Sequence, residues 1–386
     1  MFSLWLYEIT GNELFAGRLF RAGAAALLAV ILVMVLMPWY IRLLRRLDAS
    51  SDLTEFDENG MKPPPIMGGL LLVAIVEMVS LLFCRMNGYT ISTLAIMASF
   101  SMVGAVDDIA KIRQKRLIRK GKAKAADYMD KADGIPTRVR LILYFAFSVV
   151  VAILAYKFIP DLRGRLTVPF IPVSTFQIFL PNWIFVGFIA FVITATANGA
   201  NFTDGIDGLV SVPIVTSMVF IGIVGYVCGN AIFSTYLNVP YLPGVDELAP
   251  LAAGIAGCVL AYLWFNSPPA EIYMGDSGSV GFGAAIGIMF ILVQAGLFLP
   301  IVCLIFIVEA ASSLLQTSWF KLTRRVTGTP RRLFLRAPIH HHYQLKWANN
   351  QRFGGATTIK TKISWRMHLI SIFSAILGMV IFFAVR

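Results

Sequence analysis

Long apolar runs alternate along the chain with shorter polar connections. Ten runs approach the length of a membrane span, at residues 22–41, 68–84, 91–108, 139–157, 181–198, 209–228, 249–266, 279–297, 299–319 and 367–385. A hydrocarbon core of ~30 Å needs about 20 helical residues. In lipid each segment must satisfy its own backbone N–H and C=O groups, so a helix is the element expected of every run. No repeat of 20–50 residues and no low-complexity tract interrupts the pattern. It predicts an all-α integral membrane protein: a single polytopic domain over 1–386, built as a bundle of about ten transmembrane helices. The first 15 residues have no basic group ahead of their apolar positions and carry Glu8 and Glu13. That is not the build of a cleavable signal peptide.

The polar connections carry a second signal. Of 33 Lys and Arg, 26 fall in the loops that follow odd-numbered runs and seven fall on the opposite side. Lys/Arg-rich loops stay in the cytoplasm. The split predicts both termini on the periplasmic side and the basic loops facing the cytoplasm.

Composition agrees. Apolar residues make up 58% of the chain and charged residues 14%, against about 45–50% and about 25% in ordinary soluble domains. This excludes a disordered chain, a nucleic-acid-binding domain and a secreted disulfide scaffold. The four cysteines are far apart, form no Cys-x-x-Cys pair and lie in or beside apolar runs, as small buried residues do. The net charge of +12 is the surplus of the predicted cytoplasmic face, whose loops hold 26 basic and 14 acidic residues.

Candidate chemistry concentrates on that same face. Asp107-Asp108 ends the third run, where two adjacent carboxylates oppose the helix macrodipole and repel each other. Lys111 follows at three and four residues, within helical reach of either. The pair suits metal binding or general-base work. Between runs five and six lies Asn198-Gly-Ala-Asn201-Phe-Thr-Asp204-Gly-Ile-Asp207-Gly208, without a single Lys or Arg. Turns and a helix cap by Asp207 account for part of it. The remaining oxygen ligands and amides suit a nucleoside, a hydroxylated ligand or a hard cation. Between runs seven and eight, Tyr273-Met-Gly-Asp276-Ser-Gly-Ser opens a helix, whose free N–H groups attract anions. Asp276 there is either a cap or a Mg²⁺ ligand, since Mg²⁺ takes one or two carboxylates together with phosphate oxygens. The last long loop holds Ala337-Pro-Ile-His340-His341-His342-Tyr343, flanked by basic and apolar residues in alternation, as at an anionic membrane surface. Three contiguous His without further ligands make a poor tetrahedral zinc site. Two carboxylates, Glu77 and Glu309, fall inside predicted spans, where an ionisable group is costly. Acidic clusters, anion-binding helix ends and a basic membrane surface together point to phosphoryl transfer between a soluble donor and a lipid.

These motifs, with Pro65-Ile-Met-Gly-Gly69 added, resemble the bacterial phospho-N-acetylmuramoyl-pentapeptide transferases over nearly the whole chain. The aspartates are shared with the wider polyprenyl-phosphate N-acetylhexosamine-1-phosphate transferases; the triple His points to the muramoyl-pentapeptide branch. The resemblance implies a Mg²⁺-dependent inner-membrane enzyme of peptidoglycan synthesis. It would move phospho-N-acetylmuramoyl-pentapeptide from UDP to undecaprenyl phosphate, giving lipid I and UMP. It implies Asp276 as the Mg²⁺ ligand, and Asp107 or Asp108 as the group that deprotonates or positions the lipid phosphate. His340, with His341 and His342 beside it, would meet the donor. Asn198, Asn201, Asp204 and Asp207 would line the uridine–diphosphate site, with Tyr273 at an aromatic position that stacks on uracil. Lys62 and Lys111 are implied phosphate contacts, with Lys131 a further candidate. The family is commonly homodimeric. Direct displacement and a covalent aspartyl intermediate are both open. The chain departs from the family in Pro63-Pro64-Pro65-Ile66, where Gly-Thr-Pro-Thr is usual, and in its long Lys-rich loop from Lys111 to Arg140. Two alternatives are weighed: a polyprenyl-phosphate N-acetylglucosamine-1-phosphate transferase, against which the triple His argues, and a secondary transporter, which would place its charges at the bilayer midplane.

Overall fold

A computed structural model describes residues 2–50, 52, 63–122, 134–162, 164–172, 175–348 and 355–384. The described elements are, in chain order, α1 (Phe2–Thr10), α2 (Arg18–Arg46), α3 (Gly68–Phe83), α4 (Gly88–Arg119), α5 (Thr137–Phe158), β1 (Arg165–Thr167), β2 (Gln177–Phe179), α6 (Asn182–Thr203), α7 (Ser211–Cys228), α8 (Ala231–Tyr236), α9 (Leu248–Asn266), α10 (Asp276–Leu292), α11 (Leu299–Val302), α12 (Leu304–Thr327), α13 (Ile339–Ala348) and α14 (Ala356–Ala384). The protein is a helical membrane protein, and every predicted apolar run falls on helix, the ninth on two pieces. Among the described residues, seven helices are long and apolar enough to cross a bilayer, or eight if the bent pair forms one span. Two more, α3 and α10, are apolar but shorter, at 16 and 17 residues.

The differences from the sequence reading are local. The ninth run is not one rod: residues 296–302 and α12 meet at 83°. The helix of the third run, α4, continues beyond its apolar stretch to Arg119, carrying basic residues outward on a continuous rod. A two-stranded antiparallel ribbon, with Leu166 opposite Ile178, adds a little β structure between α5 and α6.

The helix α10 is buried along its whole length and packs against α4, α6, α3 and α7. Lipid supplies little hydrophobic drive between helices, so close contact of small residues holds such bundles together. The sequence provides those residues. A Cβ placed on Gly69 would lie 2.1 Å from the Cα of Gly278, and one on Gly104 would lie 2.3 Å from the Asp276 carbonyl oxygen. At both points only glycine lets the backbones touch. Around this centre, α2, α5 and α14 turn rows of exposed Leu, Ile, Val and Phe outward, as lipid-facing helices do.

The far end of the bundle from the acidic motifs is fastened by charge. Arg21 of α2 forms a two-pronged ion pair with Glu247, at 2.6 and 2.7 Å, and both are buried. The same carboxylate accepts the Arg85 backbone N–H at 2.9 Å. Near the acidic motifs a second, smaller core forms. Ile206 and Leu209 pack with Ile305, Ile359, Ile363 and Met367, and Ile339, Tyr343 and Trp347 of α13 lie against them. This cluster brings the 201–208 loop, α12, α13 and α14 together.

Candidate active site

The close approach of α4 and α10 sets three carboxylates side by side. Ligand oxygens of Asp107, Asp108 and Asp276 lie within 4.8 Å of one another, and all three residues are buried. Among the described residues this is the one group of carboxylates, His or Cys close enough to hold a metal.

The three do different work. Asp108 accepts the backbone N–H groups of Asp276 and Ser277, at 3.2 and 3.0 Å. It therefore caps the start of α10 from another helix, satisfying donors that a helix N-terminus leaves orphaned. The residue in the capping position itself, Gly275, has no side chain to do so and takes φ +75°. A Cβ there would meet Asp108 Oδ2 at 2.7 Å. Asp107 faces charged side chains: Lys111 Nζ and Arg140 Nη1 each lie 2.8 Å from its Oδ2, while Oδ1 accepts the Ile135 N–H at 2.6 Å. The adjacent Asp107 and Asp108 point in different directions, as positions 100° apart on a helix must. Asp276 shares the same cations, with Lys111 Nζ at 3.2 Å and Arg140 Nη1 in direct contact with Oδ2. Its Oδ1 accepts from Asn201 Nδ2 at 2.8 Å, and that amide also donates to Ser279 Oγ at 3.1 Å. Three carboxylates against two cations leave the cluster one formal negative charge. Its donors are all hard oxygens, the set Mg²⁺ prefers.

Other predicted residues are placed around this cluster. Lys62 and Lys131 lie outside the described residues. Lys111 reaches both adjacent aspartates, with Asp108 Oδ1 at 3.8 Å. Asn198 is half-buried and turns its amide back to the Thr194 carbonyl, at 2.7 Å. Asp204 is half-buried and ends α6, its N–H bonded to the Ala200 and Asn201 carbonyls. Asp207 does not cap α7, which has no side-chain cap. Its buried carboxylate instead accepts from Ala270 N–H at 3.3 Å and Lys360 at 3.4 Å, tying the loop before α10 and the start of α14 to the 201–208 loop. Tyr273 is half-buried, and its backbone bonds Pro65 and Gly68, so the Pro-rich motif is laid against the Tyr273–Ser279 motif.

The three histidines open α13 and meet three different neighbours. His340 is fully buried with Nδ1 3.0 Å from Glu309 Oε2. His341 bonds Gln344, and His342 Nδ1 accepts the Leu335 N–H at 3.1 Å. Contiguous helical positions diverge, so the triple is not a convergent ligand set. Arg140 is the site residue that the sequence reading passed over. It was one of eleven basic residues from Lys111 to Arg140, and only the contact of α5 with α4 distinguishes it.

Comparison with known proteins places the chain among named relatives. A family model described as glycosyl transferase family 4 matches residues 90–294, a span that includes all three aspartates. A phospho-N-acetylmuramoyl-pentapeptide-transferase of Campylobacter curvus is 33% identical over 352 residues, covering 90% of this chain and 93% of the relative. Its namesake from Chlorobium phaeobacteroides is 34% identical, over 86% and 87% of the two chains. The one from Desulfotalea psychrophila is 33% identical, over 90% and 92%.

Proposed function

The chain belongs to the phospho-N-acetylmuramoyl-pentapeptide transferases within glycosyl transferase family 4, and from that premise we propose a site-level account of how it moves phospho-N-acetylmuramoyl-pentapeptide from UDP to undecaprenyl phosphate, forming lipid I and UMP. The observation that carries it is the buried carboxylate cluster, crossed by Lys111 and Arg140, at the junction of α4 and α10. In phosphoryl transfer the protein mainly positions groups and balances charge, and this cluster is built to do both.

Asp276 is the carboxylate proposed to hold Mg²⁺, with Asp107 beside it. When bound, the ion would neutralise the donor's diphosphate oxygens and stabilise UMP as it leaves. Asn201, in the last turn of α6, fixes Asp276, so the 201–208 motif proposed to take the uridine and the carboxylate proposed to take the metal are one hydrogen bond apart. Asp107 is the better candidate to position or deprotonate the lipid phosphate. The cations on its Oδ2 are side chains that can turn to a phosphate, whereas the donors on Asp108 are main-chain groups fixed in α10. His340 and its neighbours are assigned to the donor. The excess of Lys and Arg on one set of loops supports a multi-pass protein of the bacterial inner membrane with this cluster facing the cytoplasm. Homodimer formation belongs to the same reading and is checked by the mass of the solubilised protein.

Purified protein should release UMP from UDP-N-acetylmuramoyl-pentapeptide only when a polyprenyl phosphate and Mg²⁺ are both present. Release from UDP-N-acetylglucosamine instead would move the assignment to the sister transferases. Arg140 gives a sharper check of the site. Arg140→Met keeps an unbranched apolar stem and removes the guanidinium charge, and is expected to lower kcat/KM at least about tenfold, since charge-assisted contacts at such sites are worth about 1.5–3 kcal/mol. Arg140→Lys should recover part of the loss, because it restores the charge on a shorter side chain, whose nitrogen stops short of the point where Arg140 Nη1 bridges Asp107 and Asp276. Equal turnover in all three proteins would remove Arg140 from the site.

A further inference from the structure

Outside the carboxylate cluster, one acid–imidazole pair is sealed inside the protein. Glu309 of α12 and His340 of α13 are both fully buried, joined by the 3.0 Å contact between Oε2 and Nδ1. Their remaining polar atoms, Glu309 Oε1 and His340 Nε2, are buried without a hydrogen-bond partner among the described residues. Leaving such a group unpaired costs about 1–3 kcal/mol, so the pair is an expensive way to join two helices. The helices are also joined without it: Ile339 N–H donates to Ser312 Oγ, and that hydroxyl donates to the Glu309 carbonyl.

The unpaired nitrogen has a direction. A Cβ built on Gly205 would lie 2.2 Å from His340 Nε2, so the ring edge sits directly beneath the Asp204–Gly205 turn. That turn follows directly on the end of α6, whose Asn201 holds Asp276. The imidazole is thus packed under the proposed donor loop, with its free nitrogen toward it and a carboxylate behind it.

We propose that Glu309 is the positioning residue of His340, holding Nδ1 so that Nε2 is the nitrogen presented to the donor's diphosphate as the Asp204–Gly205 turn engages it. The doubly protonated ring donates Nδ1–H to Glu309 and Nε2–H to a phosphate oxygen, and the carboxylate balances the imidazolium charge. Such a carboxylate–histidine pairing fixes ring orientation in the same way that outer-shell carboxylates fix metal-bound histidines. The inference rests on the transferase reading above and adds Glu309 to it.

The test uses full-length protein in detergent with undecaprenyl phosphate and Mg²⁺, comparing Glu309→Gln, Glu309→Asp, His340→Gln and the Glu309→Gln/His340→Gln double variant. Each is assayed for kcat, for KM of both substrates and for thermal midpoint. Glu309→Gln should lower kcat/KM for the nucleotide donor by about 10–100-fold, the range for loss of such an outer partner. The KM for undecaprenyl phosphate should stay unchanged. Glu309→Asp should regain part of the loss, and the double variant should be no worse than His340→Gln alone. The idea is overturned by wild-type donor kinetics in Glu309→Gln, by losses that multiply in the double variant, or by equal impairment of Gln and Asp that tracks a fall in thermal midpoint. Failure of the wild-type protein to release UMP is a separate result that strikes the transferase reading itself.

Discussion

Asp276→Asn should abolish UMP release, by about a thousandfold or more, while the protein stays folded. The size of the effect follows from the several kcal/mol that a bound cation contributes to a phosphoryl-transfer transition state, at about 1.4 kcal/mol per factor of ten. The fold should survive because the substitution keeps the shape of the side chain and an oxygen to accept from Asn201. Lys111 and Arg140 would still have Asp107 as their partner. The measurement is turnover with both substrates and Mg²⁺ beside a thermal melt in detergent. Near-normal turnover would refute the assignment of Asp276 as the metal ligand.

Gly104→Val should cost both stability and turnover. Its Cβ would lie 2.3 Å from the Asp276 carbonyl oxygen and 2.7 Å from the Ser277 nitrogen, and both are backbone atoms of a helix buried on every side. Overpacking of this kind typically costs about 1–3 kcal/mol, and more where neither side can yield. The same displacement would part Asp108 from the N–H groups it caps, so activity should fall further than the loss of folded protein explains. Gly23→Val provides the control, because nothing lies within 4 Å of a Cβ at that position in α2. If the two variants melt alike and turn over alike, the contact between α4 and α10 does not organise the site.

The sequence made the membrane architecture legible because a bilayer imposes one strong constraint, apolar length, on each span. It was less informative where that constraint is not the operative one. The eighth run reads as residues 279–297, yet α10 occupies Asp276–Leu292. Apolarity does not distinguish a helix wrapped in protein from one bathed in lipid, and α10 is of the first kind. The 83° bend before α12 left no trace in hydropathy, since both limbs are apolar. At the site, Asp107, Asp108 and Asp276 were legible because carboxylates at the ends of apolar helices are conspicuous. Arg140 was hidden among other basic residues. Glu309 stood out as a charge within a span, but its partner His340 is 31 positions away, and no periodicity links one helix to another.

The cap that Asp108 places on α10 bears on how complexes of this protein can be captured. A dead but intact variant is the usual means of holding both substrates in place long enough to see them. Removing the Asp108 charge, as in Asp108→Asn, would leave only one of the two oxygens that cap the helix carrying Asp276, so such a variant would confound loss of chemistry with a weakened scaffold. Asp276 itself makes no main-chain bond through its carboxylate among the described residues, only side-chain contacts, to Lys111, Arg140, Asn201 and Asp107. It is the position at which a substrate-trapping form of the enzyme should be sought.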